Sequence, residues 1–293
     1  MTMNGDLIEL NEGEYAAVVA TAGATLVSLQ HGGRDIVAGF DARREVGRGF
    51  QGRTLVPWPN RIVGGRYSFG DVTYLIPVNE PETGAALHGL ALWVPWHVEE
   101  VSATTVRLTL DLPASPGYPF DIVLGADFSV GEVGLQVRLH GRNVGAGAAP
   151  FGLSSHPYLT ADGATLDECA LLAPASRVLL VDEAMAPKRL ADVADAEFDF
   201  RAVTPLAGRQ VDHAFTELPE AGWTVQLTHP SGGVTLHSEA PWVQLYTGER
   251  LDRRCLAVEP MTCAPDAFNG PDAAVALAPG ETRTLAYSIS ATA

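Results

Sequence analysis

The eight residues TVRLTLDL, at positions 105–112, alternate between polar and apolar side chains. The apolar positions are Val106, Leu108, Leu110 and Leu112. Because successive side chains of a strand point to opposite faces, this period of two predicts a strand with one face in a core. A second stretch of the chain, GLQVRLHG at 134–141, repeats the alternation. The same motif in two places indicates a protein built from β-sheets.

Further alternating segments meet at turns that contain glycine. RYSFGDVTYLIP (66–77) predicts a hairpin that turns at Gly70-Asp71, and SLQHGGRDIV (28–37) predicts one that turns at Gly32-Gly33. Strands that recur every 8 to 12 residues or so are typical of a sandwich or a barrel. The other alternating segments are HVEEVSATTVRL (97–108), DFSVGEVGLQV (127–137), WTVQLTHPSGGVTLHS (223–238) and TRTLAYSISA (282–291).

The rest of the chain shows neither a linker nor a repeat of fixed period. We therefore expect residues 1–293 to form one large antiparallel β domain, a size that a single sandwich can reach. Short helical turns are expected near DARREVG (41–47) and CAPDAFN (263–269). The acidic segment 182–200 is expected to be a solvated loop.

The composition excludes several classes of partner. The formal net charge of -16 argues against nucleic acid and against an anionic membrane surface, because both attract clustered lysine and arginine. The N-terminus has no basic segment followed by an apolar one, so it does not predict a secretory signal. No apolar run approaches the length of a membrane span. The expected location is the cytoplasm.

Cysteine and lysine are both scarce. Cys169, Cys255 and Cys263 are too few for a disulfide scaffold and match no zinc spacing, so we expect three reduced thiols. Of the 19 basic residues, Lys188 is the only lysine. It lies in a polar, acidic stretch, whereas a Schiff-base lysine needs a desolvated site. Pyridoxal phosphate and aldolase chemistry are therefore not expected.

Five ionisable residues stand in apolar or rigid surroundings, where burial is costly unless the group is partnered. Each has a structural alternative: a core histidine bonded to the backbone, a local turn bond, or a surface ion pair. The five residues are Arg61 in LVPWPNRIVGG, His88 in GAALHGLALW, His156 in PFGLSSHPYL, Asp212 in RQVDHAFTEL and Glu259 in CLAVEPMTC.

Aromatic residues accompany these positions. Tryptophan beside polar side chains is typical of sugar binding, because a sugar ring has apolar faces and hydroxyl edges. Ordinary core packing is the alternative for each. The aromatic residues concerned are Trp58, Trp93, Trp96 and Tyr158.

Five motifs in order resemble those of the aldose 1-epimerase (galactose mutarotase) family, over about residues 5–290. The resemblance implies a large antiparallel β-sandwich with the sugar on one sheet. It also implies general acid–base catalysis without a metal or an organic cofactor. The motifs are NRI (60–62), LHG (87–89), SSHPYL (154–159), VDHAF (211–215) and LAVEPMTCAPDAFN (256–269).

The resemblance also implies roles for individual residues. Glu259 matches the general base, His156 the general acid, and His88 a second active-site histidine. Asp212 and Arg61 match residues that bind sugar hydroxyls. Asn60, Tyr158 and Trp93 are the further substrate contacts that we expect. The chain departs from many members by having PWPNRI for a Gly-Arg-x-x-Asn-Arg run and HPY for His-Thr-Tyr, which bears on substrate preference.

The chemistry explains these residue types. Mutarotation removes the proton of the C1 hydroxyl and protonates the ring oxygen; the open aldehyde then rotates and closes on its other face. A carboxylate and an imidazolium on opposite sides of the ring meet that need, and each proton transfer contributes roughly 10²–10⁴-fold. Apolar neighbours such as Val258 and Pro260 are expected to raise the pKa of Glu259.

A free aldohexose such as glucose or galactose is the expected substrate, handled by a monomer or homodimer. One alternative is a hexose 6-phosphate, bound by Arg53, Arg66 and the pair Arg253-Arg254. Others are a non-catalytic sugar-binding module, a glycosidase using Asp212 and Glu259, and a metal site made from the two histidines and a carboxylate.

Overall fold

The computed structural model describes residues 3–292, in which nearly all regular structure is extended. The first fourteen strands are β1 (Leu7–Glu12), β2 (Tyr15–Ala20), β3 (Thr25–His31), β4 (Arg34–Val37), β5 (Thr54–Leu55), β6 (Arg61–Ile62), β7 (Arg66–Phe69), β8 (Val72–Leu75), β9 (Ala86–Leu87), β10 (His97–Val101), β11 (Thr105–Leu112), β12 (Ile122–Gly131), β13 (Gly134–Asn143) and β14 (Ala149–Pro150).

The second half of the chain adds thirteen strands. They are β15 (Ser154–Ser155), β16 (Tyr158–Leu159), β17 (Ala170–Leu172), β18 (Arg177–Val181), β19 (Pro187–Asp192), β20 (Thr204–Pro205), β21 (Asp212–Thr216), β22 (Trp223–His229), β23 (Gly232–Ser238), β24 (Trp242–Tyr246), β25 (Leu256–Met261), β26 (Ala276–Leu277) and β27 (Thr282–Thr292). The helical turns are α1 (Asp272–Val275) and the 3₁₀ turns Arg48–Phe50, Val63–Gly65, Leu166–Glu168, Glu249–Leu251 and Ala267–Asn269.

Two large antiparallel sheets form the body of the molecule. The first has twelve strands, with the main order β1-β2-β3-β4-β16-β25-β24-β21-β18-β19 and with β5 and β15 attached beside β25. The second has nine strands in the order β10-β11-β12-β13-β27-β23-β22-β17-β20. Strands β1 and β2 contact β12, and β25 contacts β27, so the sheets face each other across one large cluster of buried apolar residues. The expected antiparallel β-sandwich is confirmed.

The alternation read from the sequence matches the observed faces. In β11, Val106, Leu108 and Leu112 are buried while Leu110 is half-buried; in β13, Leu135, Val137 and Leu139 are buried. The six segments expected to form strands or hairpins do so. Glycine explains the two-residue β3–β4 connection: both of its residues have positive φ, which a type I′ hairpin turn requires.

The acidic segment departs from expectation. Part of it, Pro187–Asp192, is the edge strand β19, which pairs with β18. Its side chains are mostly exposed apart from Ala191, and Val193 and Phe200 nearby are buried in the core. The loop prediction was wrong there because backbone pairing at a sheet edge needs little side-chain burial. Lys188 lies on this strand, exposed to solvent.

The helical turns agree only in part. CAPDAFN contains the 3₁₀ turn Ala267–Asn269, as expected. DARREVG forms a hydrogen-bonded turn, in which Arg44 and Glu45 donate to Asp41, but no helix. All three cysteines are buried and unpaired, in agreement with the prediction of free thiols. None of the helical turns between residues 3 and 292 has the length and apolar character that a membrane crossing requires.

Gly89 shows how closely the loops are packed where they cross the end of the sandwich. It has a φ of +82°, and a Cβ at this position would lie 1.9 Å from the carbonyl oxygen of Val56. Leu90 donates a hydrogen bond to the same carbonyl at 2.7 Å. The segment that carries His88 is therefore fixed against residues 56–57 by direct backbone contact.

We predict that Gly89→Ala destabilises the protein by more than about 3 kcal/mol. The alanine must adopt a strained φ, and backbone atoms must also move to make room for its Cβ. Gly84→Ala is the matched control. Its φ is +72° but no atom lies within 4 Å of the added Cβ, so its cost should be about 1–2 kcal/mol. Urea unfolding of both variants measures the difference; equal costs would contradict the backbone contact described here.

Candidate active site

The floor of the candidate site crosses four neighbouring strands of the first sheet, β16, β25, β24 and β21. They carry, in that order, Tyr158, Glu259, Gln244 and Asp212, all of which line one pocket. Glu259 and Gln244 are directly opposite each other in the β24–β25 ladder. Residues more than 100 positions apart in sequence therefore meet because their strands are adjacent.

Glu259 and His156 are in direct contact. The Nε2 of His156 lies 3.3 Å from the Oε1 of Glu259, and both side chains are buried. Every residue of β25 is buried, so the strand that carries the carboxyl group has no contact with bulk water. The two groups lie together rather than on opposite sides of a sugar ring, which corrects the expected arrangement.

The backbone of His156 is fixed from two directions. Its N–H donates to the carbonyl of Arg53 at 3.0 Å, and its own carbonyl accepts from Gly52 at 2.9 Å. The carbonyl of the following proline, Pro157, accepts from Val258 in the neighbouring strand at 3.1 Å. The imidazole stacks on the Tyr158 ring at 4.9 Å between centroids. The position of this ring is therefore set before any ligand binds.

Burial pushes both groups towards their neutral forms. It raises the pKa of Glu259 well above its ordinary value, an effect to which Asp212 adds and which Arg61 opposes. It lowers the pKa of His156 to about 3. Burial therefore favours the neutral carboxyl form of Glu259 and the neutral imidazole form of His156. The Oε2 of Glu259 and the Nδ1 of His156 have no protein partner.

His88 and Asn60 reach the pocket from adjoining turns. Both have positive φ, of 64° and 53°, and the His88 N–H donates to the Asn60 carbonyl at 2.8 Å. Left-handed backbone at non-glycine residues is held in place by its surroundings and is common at functional sites. The ring of His88 meets that of His156 edge-on at 5.3 Å. Burial, and then the neighbouring His156, lower the pKa of His88 well below its usual range, so it is neutral.

Arg61 is held by a carboxylate that the sequence did not suggest. Its Nε and Nη2 donate to the two carboxylate oxygens of Glu80 at 2.6 and 2.9 Å, and both side chains are largely buried. Burial works against both charges, but their mutual hydrogen bonds outweigh it: the pKa of Arg61 is raised and that of Glu80 is lowered. The pair is charged at neutral pH.

Asp212 is bonded to a side-chain amide rather than to the histidine that follows it in sequence. Gln244 donates to its Oδ1 at 2.6 Å. Burial raises the pKa of Asp212, while Arg61 and Gln244 oppose that rise. The Oε1 of Gln244 has no protein partner. An amide and a carboxylate side by side can together accept and donate hydrogen bonds, as sugar hydroxyls require.

The aromatic residues are distributed differently from the expectation. Trp58 and Trp96 are buried in the core. Trp93 does not line the pocket; it is 52% exposed, lies under the guanidinium of Arg53, and is 6.3 Å from the ring of Phe50. The core packing alternative therefore holds for two of the tryptophans, and Trp93 lies beside Phe50 outside the pocket lining.

Phe50 is one aromatic side chain at the pocket that sequence reasoning missed. Its ring meets that of His88 edge-on at 4.8 Å, and its φ of 61° is unusual for a bulky residue. Gly49 beside it accepts a hydrogen bond from the Tyr158 hydroxyl at 2.9 Å. Nothing in the segment GRGFQGR distinguishes Phe50 beforehand, because its role comes from a loop crossing over two histidines.

The four arginines considered for phosphate binding do not gather at the pocket. Arg53 is fully buried and donates to Ala22 and Asn4, and burial lowers its pKa to about 10. Arg253 is bonded to Asp167 and Glu249, while Arg254 donates to a loop carbonyl. Arg66 is exposed on β7. None of the four lines the pocket, where the arginines are Arg61 and Arg250.

One cluster in the described part of the chain has the donor types of a metal site: His88, His156 and Glu259, with donor atoms within 4.8 Å of one another. Tetrahedral zinc brings its ligand atoms to roughly 3.4 Å of each other, given metal–ligand distances of about 2.0–2.1 Å. The cluster coincides with the acid–base pair, so a bound metal and proton transfer by Glu259 compete for the same atoms. Catalysis without a metal stays a prediction.

Sequence reasoning also missed four pocket residues with polar side chains: Glu80, Gln244, Tyr246 and Arg250. Gln244 carries a usable signal, because it is a single amide in the apolar strand PWVQLY. The sequence gives no such signal for Glu80, because NEPET (79–83) is typical of an ordinary exposed turn. Its importance depends on reaching Arg61, nineteen residues earlier in the chain.

The fold is a galactose mutarotase-like sandwich, as solved structures indicate. A galactose mutarotase/aldose epimerase homologue from Caenorhabditis elegans superposes with a TM-score of 0.87 at 22% identity, covering 98% of each chain. Galactose 1-epimerase from Lactobacillus acidophilus NCFM gives 0.84 at 22% identity, covering 99% of this chain and 96% of that one. At this identity the likeness establishes the fold.

The family follows from sequence. The aldose 1-epimerase family model matches residues 6–290, so the chain belongs to the aldose 1-epimerase family. It is 37% identical over 292 residues to the uncharacterized protein YihR of Escherichia coli K12, covering 99% of this chain and 94% of that protein. It is 26% identical to galactose mutarotase of Mus musculus over 275 residues, covering 83% and 78%. The resemblance noted from motifs is confirmed.

We predict that Glu259→Gln stabilises the protein increasingly as pH rises. The folded-state pKa of Glu259 is raised above its ordinary value of 4.5. Below pH 4.5 both folded and unfolded states hold the proton; above it, the buried carboxyl increasingly disfavours the folded state. The difference in unfolding free energy between variant and wild type should exceed about 1 kcal/mol at pH 7 and shrink towards pH 4.5.

Urea unfolding at several pH values measures this difference. The exposed Glu82 offers a matched control, because Glu82→Gln removes the same charge without changing a buried group. If the difference in unfolding free energy between Glu259→Gln and wild type is constant with pH, or grows towards acid pH, the raised pKa of Glu259 is contradicted.

Proposed function

We propose that this chain interconverts the α and β anomers of a free aldohexose, such as glucose or galactose, by general acid–base ring opening. The observation that carries the proposal is the buried contact between Glu259 and His156 in a polar pocket, where burial favours the neutral form of each group. The named galactose epimerase and mutarotase among the similar proteins support a hexose as the substrate class.

The pair can act on two oxygens of one carbon. The C1 hydroxyl oxygen and the ring oxygen are both bonded to C1, so neighbouring groups can reach both without standing on opposite sides of the ring. Transfer of the shared proton from Glu259 to His156 gives a carboxylate and an imidazolium. Glu259 then takes the proton of the C1 hydroxyl while His156 protonates the ring oxygen and the C1–O bond breaks.

Closure reverses these steps on the other face of the aldehyde. Rotation about the C1–C2 bond exposes that face, the hydroxyl of the open chain attacks C1 and returns its proton to His156, and Glu259 protonates the carbonyl oxygen. The pair ends with the one proton with which it began, so the cycle balances. The starting protonation state is restored without a cofactor.

The other pocket residues are proposed to hold the sugar. Arg61 and Asp212 bind hydroxyl groups, as the family resemblance implies, and His88 uses its unpartnered Nδ1. Asn60 contributes mainly through the backbone bond that holds His88. Tyr158 supports the ring of His156. Trp93 contributes indirectly, through its contact with Phe50.

An unphosphorylated sugar is favoured over a 6-phosphate. A phosphate dianion calls for several convergent arginines, and the four candidates are buried, engaged elsewhere or exposed away from the pocket. The net charge of -16 further disfavours encounter with an anion. We propose that residues 1–293 work as one catalytic domain and, given three free thiols, that it resides in the cytoplasm as a monomer or homodimer.

We predict that Glu259→Gln and His156→Asn each lower kcat by at least about 10²-fold, because each removes one partner of the proton transfer. Polarimetry of freshly dissolved α-glucose or α-galactose measures the rate. Glu82→Gln and His237→Asn, which change the same residue types at exposed positions, should keep wild-type activity. Near-normal rates in either pocket variant would overturn the assignment of the pair.

We predict that kcat/KM for free glucose or galactose exceeds that for the 6-phosphate and changes little with salt, because a neutral substrate is not steered by charge. Assays with both forms between low and physiological ionic strength test this. A tenfold or greater preference for the 6-phosphate, abolished in the double variant Arg253→Ala with Arg254→Ala, would show that a phosphorylated sugar is the substrate.

A further inference from the structure

Arg61 meets Glu80 through two of its five N–H groups. The carboxylate takes the Nε and Nη2 donors at 2.6 and 2.9 Å, a side-on fork that fixes the guanidinium plane as well as its position. Nη1 lies 3.4 Å from the side-chain oxygen of Asn60. Taking three of the five donors leaves two N–H groups for a ligand in the pocket that Arg61 lines.

Glu80 is itself fixed by a compact turn. Its carbonyl accepts from the backbone of Thr83, Gly84 and Ala85, at 3.3, 3.0 and 3.3 Å, and the Thr83 hydroxyl donates to its carboxylate. The side chain of Glu80 is only 6% exposed. A carboxylate held in this way has little rotational freedom left to lose when it pairs with an arginine.

The same turn holds the other wall of the pocket. The side-chain amide of Asn79 donates to the carbonyl of Leu87 at 3.0 Å and accepts from the N–H of Leu87 at 2.6 Å. Leu87 immediately precedes His88 and pairs with Arg61 in the β6–β9 ladder. One turn therefore fixes, by hydrogen bonds, both the backbone that precedes His88 and the side chain of Arg61.

We propose that Glu80 is a positioning residue for sugar recognition: it sets the guanidinium of Arg61 so that its two remaining donors meet the hydroxyl groups of the bound sugar, and it balances the charge of Arg61 beside the acid–base pair. This inference rests on the proposed function. Glu80 does not itself transfer a proton. It acts through Arg61.

The charge balance matters because Arg61 acts on Glu259. The charged or titratable groups around Glu259 are His156 at 3.3 Å, Asp212 on β21, Arg61 on β6, and Tyr158 on β16. The remaining charged or titratable groups of the pocket are His88, Glu80, Tyr246 and Arg250. Arg61 lowers the pKa of Glu259 against the effect of burial. With the charge of Glu80 removed, the guanidinium is no longer neutralised and should stabilise the Glu259 carboxylate further.

The test compares Glu80→Gln with Glu80→Asp and with the matched control Glu82→Gln, whose side chain is exposed in the same turn. For Glu80→Gln we expect KM to rise about tenfold, with kcat on the pH plateau within about threefold of wild type, as for lost uniform binding. Both limbs of the kcat/KM profile should move to lower pH, because the uncompensated guanidinium disfavours each protonated form of the pair. Glu80→Asp, which keeps the charge but is one methylene shorter, should restore the pH profile and recover KM in part.

A purely structural role gives a different result. Loss of folded protein lowers kcat per mole of chain but leaves KM and the pH profile unchanged, and that outcome would overturn the proposal. A second measurement is the double variant with Arg61→Lys. If Glu80 acts through Arg61, adding Glu80→Gln to Arg61→Lys should cost much less than tenfold further; independent, multiplicative losses would contradict the inference.

A crystal structure of Glu80→Gln separates this inference from the proposed function. We expect the Arg61 guanidinium to leave its present plane while Glu259 and His156 stay in place. An unmoved Arg61 would refute the positioning role even if wild-type protein shows no mutarotation. An inactive wild type with a displaced Arg61 would instead refute the proposed reaction and leave the positioning of Arg61 by Glu80 supported.

Discussion

The candidate active site depends on the burial of one carboxyl group, that of Glu259. Glu259 stands on the central strand β25, in which every residue is buried, and desolvation raises its pKa far more than the nearby arginine lowers it. A lone buried carboxylate costs several kcal/mol. The contact with His156 and the neutral form that burial favours make the burial tolerable. The strands and loops around the pocket exclude bulk water from this pair, and one side of the pocket is open to a ligand.

The sheet and the loops contribute differently to the site. Neighbouring strands supply Glu259, Gln244 and Asp212 at spacings fixed by the backbone ladder. A turn and the two-residue strand β6 supply His88 and Arg61, whose positions depend on the left-handed backbone of Asn60 and His88 and on the turn around Glu80. The strand ladder therefore fixes Glu259, whereas His156 lies in the short connection between β15 and β16 and is held by its backbone hydrogen bonds.

Much of this could be predicted from local pattern. The alternation in 105–112 and 134–141 and the glycine turns gave the strands and hairpins, because both depend on residues close in sequence. Glu259, His156, His88, Asp212 and Arg61 stood out as charged or titratable groups in apolar company, and all five line one pocket. The edge strand within 182–200 could not be predicted in the same way, because an edge strand is defined by the partner it finds.

The sequence by itself determined the fold class, the family and the identity of the polar residues that apolar strands must accommodate, since hydrophobic periodicity and residue type are local properties. Tertiary structure alone decided which charges pair. Arg53, Arg61 and Arg253 look equally free in sequence, yet one is buried in the core, one faces the pocket through Glu80, and one is tied to Asp167. The physical reason is that an ion pair depends on distance and desolvation in space, and neither quantity is encoded by neighbours along the chain.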